Sequence, residues 1–88
     1  MDNLVVLNND KVSKENNNFY TRNYNLKILP EGLSNYHKVE YIARESNKKG
    51  SQKINLQNIK IASNIIKFIY LIFSTFKNKN SKYFNLPI

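Results

Sequence analysis

The residues of this chain best suited to chemistry form two short clusters, Arg22-Asn23 and Ser46-Asn47-Lys48. A guanidinium, two carboxamides, a hydroxyl and an ammonium can together bind a ligand that carries hydroxyls or phosphate. They make no reaction centre by themselves. The one histidine, His37, stands alone and cysteine is absent, which leaves no thiolate or paired-histidine metal set and implies no cofactor. The two glycines, Gly32 and Gly50, fall in no phosphate-cradling pattern. Glu40 and Glu45 straddle a strand end and read as solvated charges, and no serine has the base and sharp turn of a nucleophile. The sequence therefore assigns no catalytic residue.

The elements that must position these clusters follow from the apolar pattern. A continuous, β-branched run at 4–7 predicts a strand buried on both faces. Residues 8–18 are polar, without an apolar period, and read as a loop. Leu26, Leu29 and Leu33 recur at helical spacing and predict a helix over about 20–35, capped by Thr21 and broken or kinked at Pro30. A second strand follows at 39–43, then a polar, basic connection over 44–53. Ile59, Ala62, Ile65/Ile66, Ile69, Ile72/Phe73 and Phe76 give the longest helical stripe. It predicts a helix over 56–77, with Asn55 as its cap and Lys77 to Lys79 at its C-terminal end. Residues 83–86 read as a third strand.

Strands that alternate with helices predict a parallel sheet joined by crossovers, with the first strand central. The expected fold class is α/β: a truncated, partial Rossmann-like three-layer domain of about three parallel strands and two to three helices. Residues 1–88 form this one domain. Both polar connections then lie at carboxyl ends of strands, where open α/β sheets bind ligands, so Arg22 and Asn23 should share an edge with Ser46, Asn47 and Lys48.

Charge is placed unevenly along the 88 residues. Six basic residues balance six acids through Asn47, whereas residues 48–88 carry eight lysines and no acid, so 8 − 0 supplies the whole formal net charge of +8. A one-signed half favours an anionic partner. Lysine outnumbers arginine twelve to two, against the usage of a dedicated nucleic-acid reader, which favours bidentate arginine. Heavy use of Asn, Lys and Ile also fits A/T-rich codons. The acid at Asp2 and the short apolar run after it do not make a secretory signal, and Lys60, Asn64 and Lys67 interrupt the apolar stripe before it reaches spanning length. These features predict a cytoplasmic protein with scope for peripheral contact at the inner membrane face.

The segment Phe19-Tyr20-Thr21-Arg22-Asn23-Tyr24, followed by Leu26 to Leu33 and then Lys38-Val39-Glu40-Tyr41-Ile42-Ala43, resembles the start of bacterial GT-B-fold glycosyltransferases of the retaining family 4 type. The resemblance covers most of the chain as an order of elements and residues 19–76 as sequence texture. It implies the N-terminal, acceptor-side part of an enzyme that moves a sugar from a nucleotide-sugar to a glycan or lipid-linked acceptor. Arg22, Asn23, Ser46, Asn47 and Lys48 would face that acceptor. The nucleotide-sugar would bind mainly through a C-terminal domain that these residues do not include, so the chain alone is expected to be inactive. Asn8-Asn9-Asp10 stands where the family has a Gly-rich turn. Two other readings stay open: a small basic membrane-surface module built on the apolar helix, and a basic nucleic-acid-binding protein.

Overall fold

A computed structural model describes residues 2–76 and 81–86. In chain order the elements are β1 (Asp2–Glu15), β2 (Asn18–Thr21), α1 (Asn25–Leu33), β3 (His37–Glu45), β4 (Gln52–Lys53), β5 (Asn58–Ala62), α2 (Ile65–Phe76) and β6 (Ser81–Leu86). The strands form one six-stranded sheet in the order β4-β2-β1-β3-β5, with β6 also paired to β1. β1 lies between β3 and β6, parallel to both, and β5 continues the parallel run beyond β3. β2 pairs antiparallel with β1 and with β4.

The expected partial Rossmann-like three-layer domain is thus corrected to a strand-rich, mixed sheet with two short helices. Three segments account for the difference. The first is residues 8–15, expected as loop, which extend β1. Leu7 opposes Ile42 and Lys11 opposes Arg44, so β1 advances four residues while β3 advances two. The two extra residues sit in a bulge held by side chains: Asp10 N–H donates to Asn8 Oδ1 at 2.8 Å, and Lys11 N–H donates to Asp10 Oδ1 at 2.8 Å. Beyond the bulge Val12 is fully buried and carries the strand on to Glu15. Asn16 and Asn17 then adopt φ of 51° and 67°, and Glu15 opposes Asn18 across them. Two consecutive positive φ angles make a tight hairpin turn whose twist matches its strands, and asparagine tolerates this region better than other residues with a Cβ.

The second segment is residues 58–62, expected as helix. Ile59 and Ile61 pack on one side of the sheet while Ala62 packs on the other, a period of two that β-branched residues favour. The long helix therefore shortens to α2, which starts after Asn64 rather than Asn55. Asn64 Oδ1 accepts from Lys67 N–H at 2.8 Å, the usual N-cap contact. Lys77 and Lys79, expected to close this helix, lie outside the described residues. The third segment is 44–53, where Gln52 and Lys53 leave the connection to form β4.

α1 is shorter than expected but unbroken at Pro30. Proline has no N–H to give the carbonyl four residues back, which leaves the Leu26 oxygen without its helical donor. The Tyr41 hydroxyl fills that place, donating to Leu26 O at 3.2 Å. It also accepts from Asn8 Nδ2 at 2.7 Å, so one buried network joins β1, β3 and α1. Pro30 is itself buried and occupies the inward position expected for Leu29, which is 43% exposed.

The sheet separates two cores. On the α1 side Leu4, Val6, Val12, Val39, Tyr41 and Ala43 pack with Leu26 and Ile54. On the α2 side Val5, Ile42 and Ala62 pack with Phe68, and Leu7, Leu71 and Ile72 are partly buried against them. Alternation along β1 and β3 sends neighbours to opposite cores, as expected of strands covered on both faces.

Candidate functional site

The parallel strands β6, β1, β3 and β5 end on one edge of the sheet, and β1 overshoots that edge as an arm. Its bulge begins at Asn8, which opposes Leu86, the last described residue of β6. Chain order reverses there: from β1 the chain moves to β3 and β5 on one side, then to β6 on the other. Such a reversal opens a crevice at the carboxyl ends of the strands. Asn8, at this end of β1, is fully buried and bonded to Tyr41.

The segments that carry the two sequence-defined clusters are joined through strand pairing. Thr21 opposes Gln52 where β2 pairs with β4, which joins the segment carrying Arg22 to the connection carrying Ser46–Lys48. Ser13 fastens the junction: Gly50 N–H donates to Ser13 Oγ at 3.0 Å, and Ser13 Oγ donates to Tyr20 O at 3.3 Å. A Cβ on Gly50 would fall 2.6 Å from the backbone C and O of Thr21, so only glycine fits this approach.

Within the rim the five residues divide by role. Asn23 organises the start of α1, accepting from Asn25 N–H at 3.0 Å through Oδ1, while its own N–H donates to Thr21 Oγ1 at 3.3 Å. Thr21 supports the turn before α1 instead of capping the helix. Ser46 N–H donates to Val12 O at 2.9 Å, and its hydroxyl closes a small turn with Lys48 by bonds of 3.1 and 3.0 Å. Arg22, Asn47 and Lys48 stay exposed. Lys49 is engaged with Glu15 at 2.9 Å, and that hydrogen bond holds its ammonium above the ordinary lysine range. Arg22, Asn47 and Lys48 leave a guanidinium, a carboxamide and an ammonium exposed on these two segments. Such a set can bind hydroxyls and anionic oxygens, and it has no group placed to move a proton.

A second feature was not foreseen from the sequence. An open groove of about 940 Å³ runs from the hairpin to the first residues of β3 and β5. Five carboxamides line it, from Asn17, Asn18, Asn55, Gln57 and Asn58, with the Phe19 ring and His37. His37 Nδ1 is buried there with no hydrogen-bond partner in the structure. The segment between β4 and β5 forms one wall and is pinned by Glu31, whose Oε2 accepts from Asn55 N–H at 2.8 Å and pairs with Lys27 at 2.7 Å. The Asn-rich runs at 16–18 and 55–58 were the available signal; codon bias masks it.

Among the described residues no three His, Cys, Asp or Glu side chains cluster to hold a metal ion, and no helix is long and apolar enough to cross a membrane. No protein-family model, curated protein or solved structure matches this chain.

Proposed function

We propose that this chain is the acceptor-side part of a glycosyltransferase, holding a glycan or lipid-linked acceptor at the carboxyl edge of its parallel strands. A second, donor-binding domain supplies the nucleotide-sugar. The observation that carries the reading is the reversal of chain order at β1, next to a rim that presents Arg22, Asn47 and Lys48. The resemblance of residues 19–43 to the start of family 4 enzymes supports the same reading. A carboxamide-lined groove leading away from the hairpin suits the further hydroxyls of an extended glycan.

Sugar transfer forms a bond from an acceptor oxygen to the sugar's anomeric carbon and breaks that carbon's bond to the diphosphate. The acceptor hydroxyl gives up its proton, and the diphosphate leaves with the electron pair. The contribution of this chain is to hold the hydroxyl in attacking geometry, a large share of what such an enzyme supplies. Charge stabilisation of the departing diphosphate belongs to the donor side.

Saturation-transfer NMR on the 88-residue chain tests the reading. Short neutral oligosaccharides should give contacts that are lost in the Arg22→Ala/Lys48→Ala variant, UDP-glucose alone should give none, and no sugar should be transferred. Turnover of a nucleotide-sugar by the isolated chain, or oligosaccharide contacts that survive the double substitution, would overturn it.

A further inference from the structure

The groove between the hairpin and the first residues of β3 and β5 carries more recognition chemistry than the fold uses. Asn8, Asn23 and Asn64 spend their carboxamides inside the structure, on the Tyr41 hydroxyl or on backbone N–H groups. The five carboxamides that line the groove make no hydrogen bond among the described residues. A carboxamide donates and accepts from one planar group, which matches hydroxyls that do both. The walls are held in place before any ligand arrives. Ile54 N–H donates to Phe19 O at 2.8 Å, and Asn55 N–H donates to Glu31 Oε2 at 2.8 Å. Little ordering is then left for binding to cost. At about 940 Å³ the groove stands at the upper end of small-ligand sites, which suits a run of rings.

The charge of the groove narrows the ligand further. Lys38 and Lys53 line it, both are exposed, and neither belongs to an ion pair among the described residues. Among the described residues no Asp or Glu lines it. Glu31, which pins the wall at Asn55, is neutralised by Lys27 at 2.7 Å. A ligand rich in hydroxyls and also anionic fits this combination, because the ammoniums attract carboxylates while the carboxamides take the hydroxyls. A single-stranded nucleic acid fits it less well. Of the lining residues only Phe19 has a phenyl ring, and it is partly buried against the core, which leaves no platform for successive bases.

We propose that the groove binds an acidic saccharide, a run of sugar rings bearing carboxylates, with its carboxamides on the hydroxyls and with Lys38 and Lys53 on the carboxylates. As part of the acceptor this ligand rests on the sugar-transferase reading; as a bound ligand it does not.

NMR titration of the isotope-labelled 88-residue chain with a galacturonic acid trimer tests it. The trimer should shift the side-chain amide signals of Asn55, Gln57 and Asn58. It should bind about tenfold more tightly than the neutral galactose trimer, the gain expected of two exposed charge contacts. Citrate, an anion of the same charge without sugar rings, should move none of these signals. Lys38→Ala/Lys53→Ala, both at exposed positions, should lose the tenfold and leave the neutral trimer unaffected. Gln57→Leu/Asn58→Leu should weaken both trimers with an unchanged circular dichroism spectrum. Equal affinity for the two trimers, groove signals that citrate moves as far, or tighter binding of oligothymidylate would overturn the proposal. Shifts confined to residues 21–23 and 46–48 would overturn it and leave the acceptor reading standing, whereas groove shifts with none at those residues would uphold it and contradict that reading.

Discussion

The two sides of the sheet are built from the same alternating strands, yet one is closed and the other is left open. On the α1 side the helix, the hairpin and the segment after β4 all press on the sheet, and even the carbonyl freed by Pro30 finds a donor in Tyr41. On the α2 side, among the described residues, the helix packs through Phe68 with Leu71 and Ile72 partly buried, while Ile65, Ile66, Ile69, Tyr70 and Phe73 are exposed. Stability is therefore concentrated on one face. Burial of a side chain and hydrophobicity of a residue are separate facts, and α2 is where they part.

Substitution on α2 should divide sharply by direction. Phe68→Ala removes a buried aromatic side chain of α2 from the smaller core and should cost about 3–5 kcal/mol. Ile66→Ala, two residues earlier on the outward face, should change stability by about 0.5 kcal/mol or less. Urea denaturation of both variants checks the pair, and equal losses would mean that the outward face is part of the fold.

Gly50→Ala should come next, at about 1–3 kcal/mol, because its Cβ must displace Thr21 backbone and spread β2 from β4. The rim would loosen with it, so oligosaccharide contacts at the sheet edge should weaken. Tyr41→Phe should cost about 1–3 kcal/mol, since it strands both the Asn8 amide and the Leu26 carbonyl in the closed core.

The smallest effect is on pH dependence. Burial holds the Tyr41 phenol well above its ordinary value of 10.0, so the folded protein resists an ionisation that the unfolded chain accepts. The sign follows: this contribution to stability is complete below about pH 10 and is lost as the pH rises beyond it. Denaturation midpoints should therefore fall between pH 9 and 11, and less steeply in Tyr41→Phe (about a unit on each side of the ordinary phenol value).

Much of the parallel half was legible in the sequence, because Leu4 to Leu7 and Val39 to Ala43 are short apolar runs with few alternatives. The antiparallel arm was not. Its residues are polar on one side, its fully buried apolar residue is Val12, and its turn is Asn16-Asn17 where a glycine would have announced a hairpin. β5 was misread for a different reason: Ile59, Ala62 and Ile65 satisfy helical spacing while Ile59 and Ile61 satisfy strand spacing, and pairing with β3 decides between them. Pro30 misled because its local rule holds only until a tertiary donor reaches Leu26. At the rim, sequence alone named Arg22 and Lys48 but not the Ser13–Gly50–Thr21 junction that ties their segments together. That junction depends on a strand pairing 31 residues apart (52 − 21), which no local pattern reveals.

Hydrogen–deuterium exchange on the 88-residue chain, with and without oligosaccharide, tests the central claim that the sheet edge holds the acceptor. Oligosaccharide should protect residues 21–23 and 46–53 and leave 65–73 unchanged. Protection of α2, or no protection at the sheet edge, would contradict it.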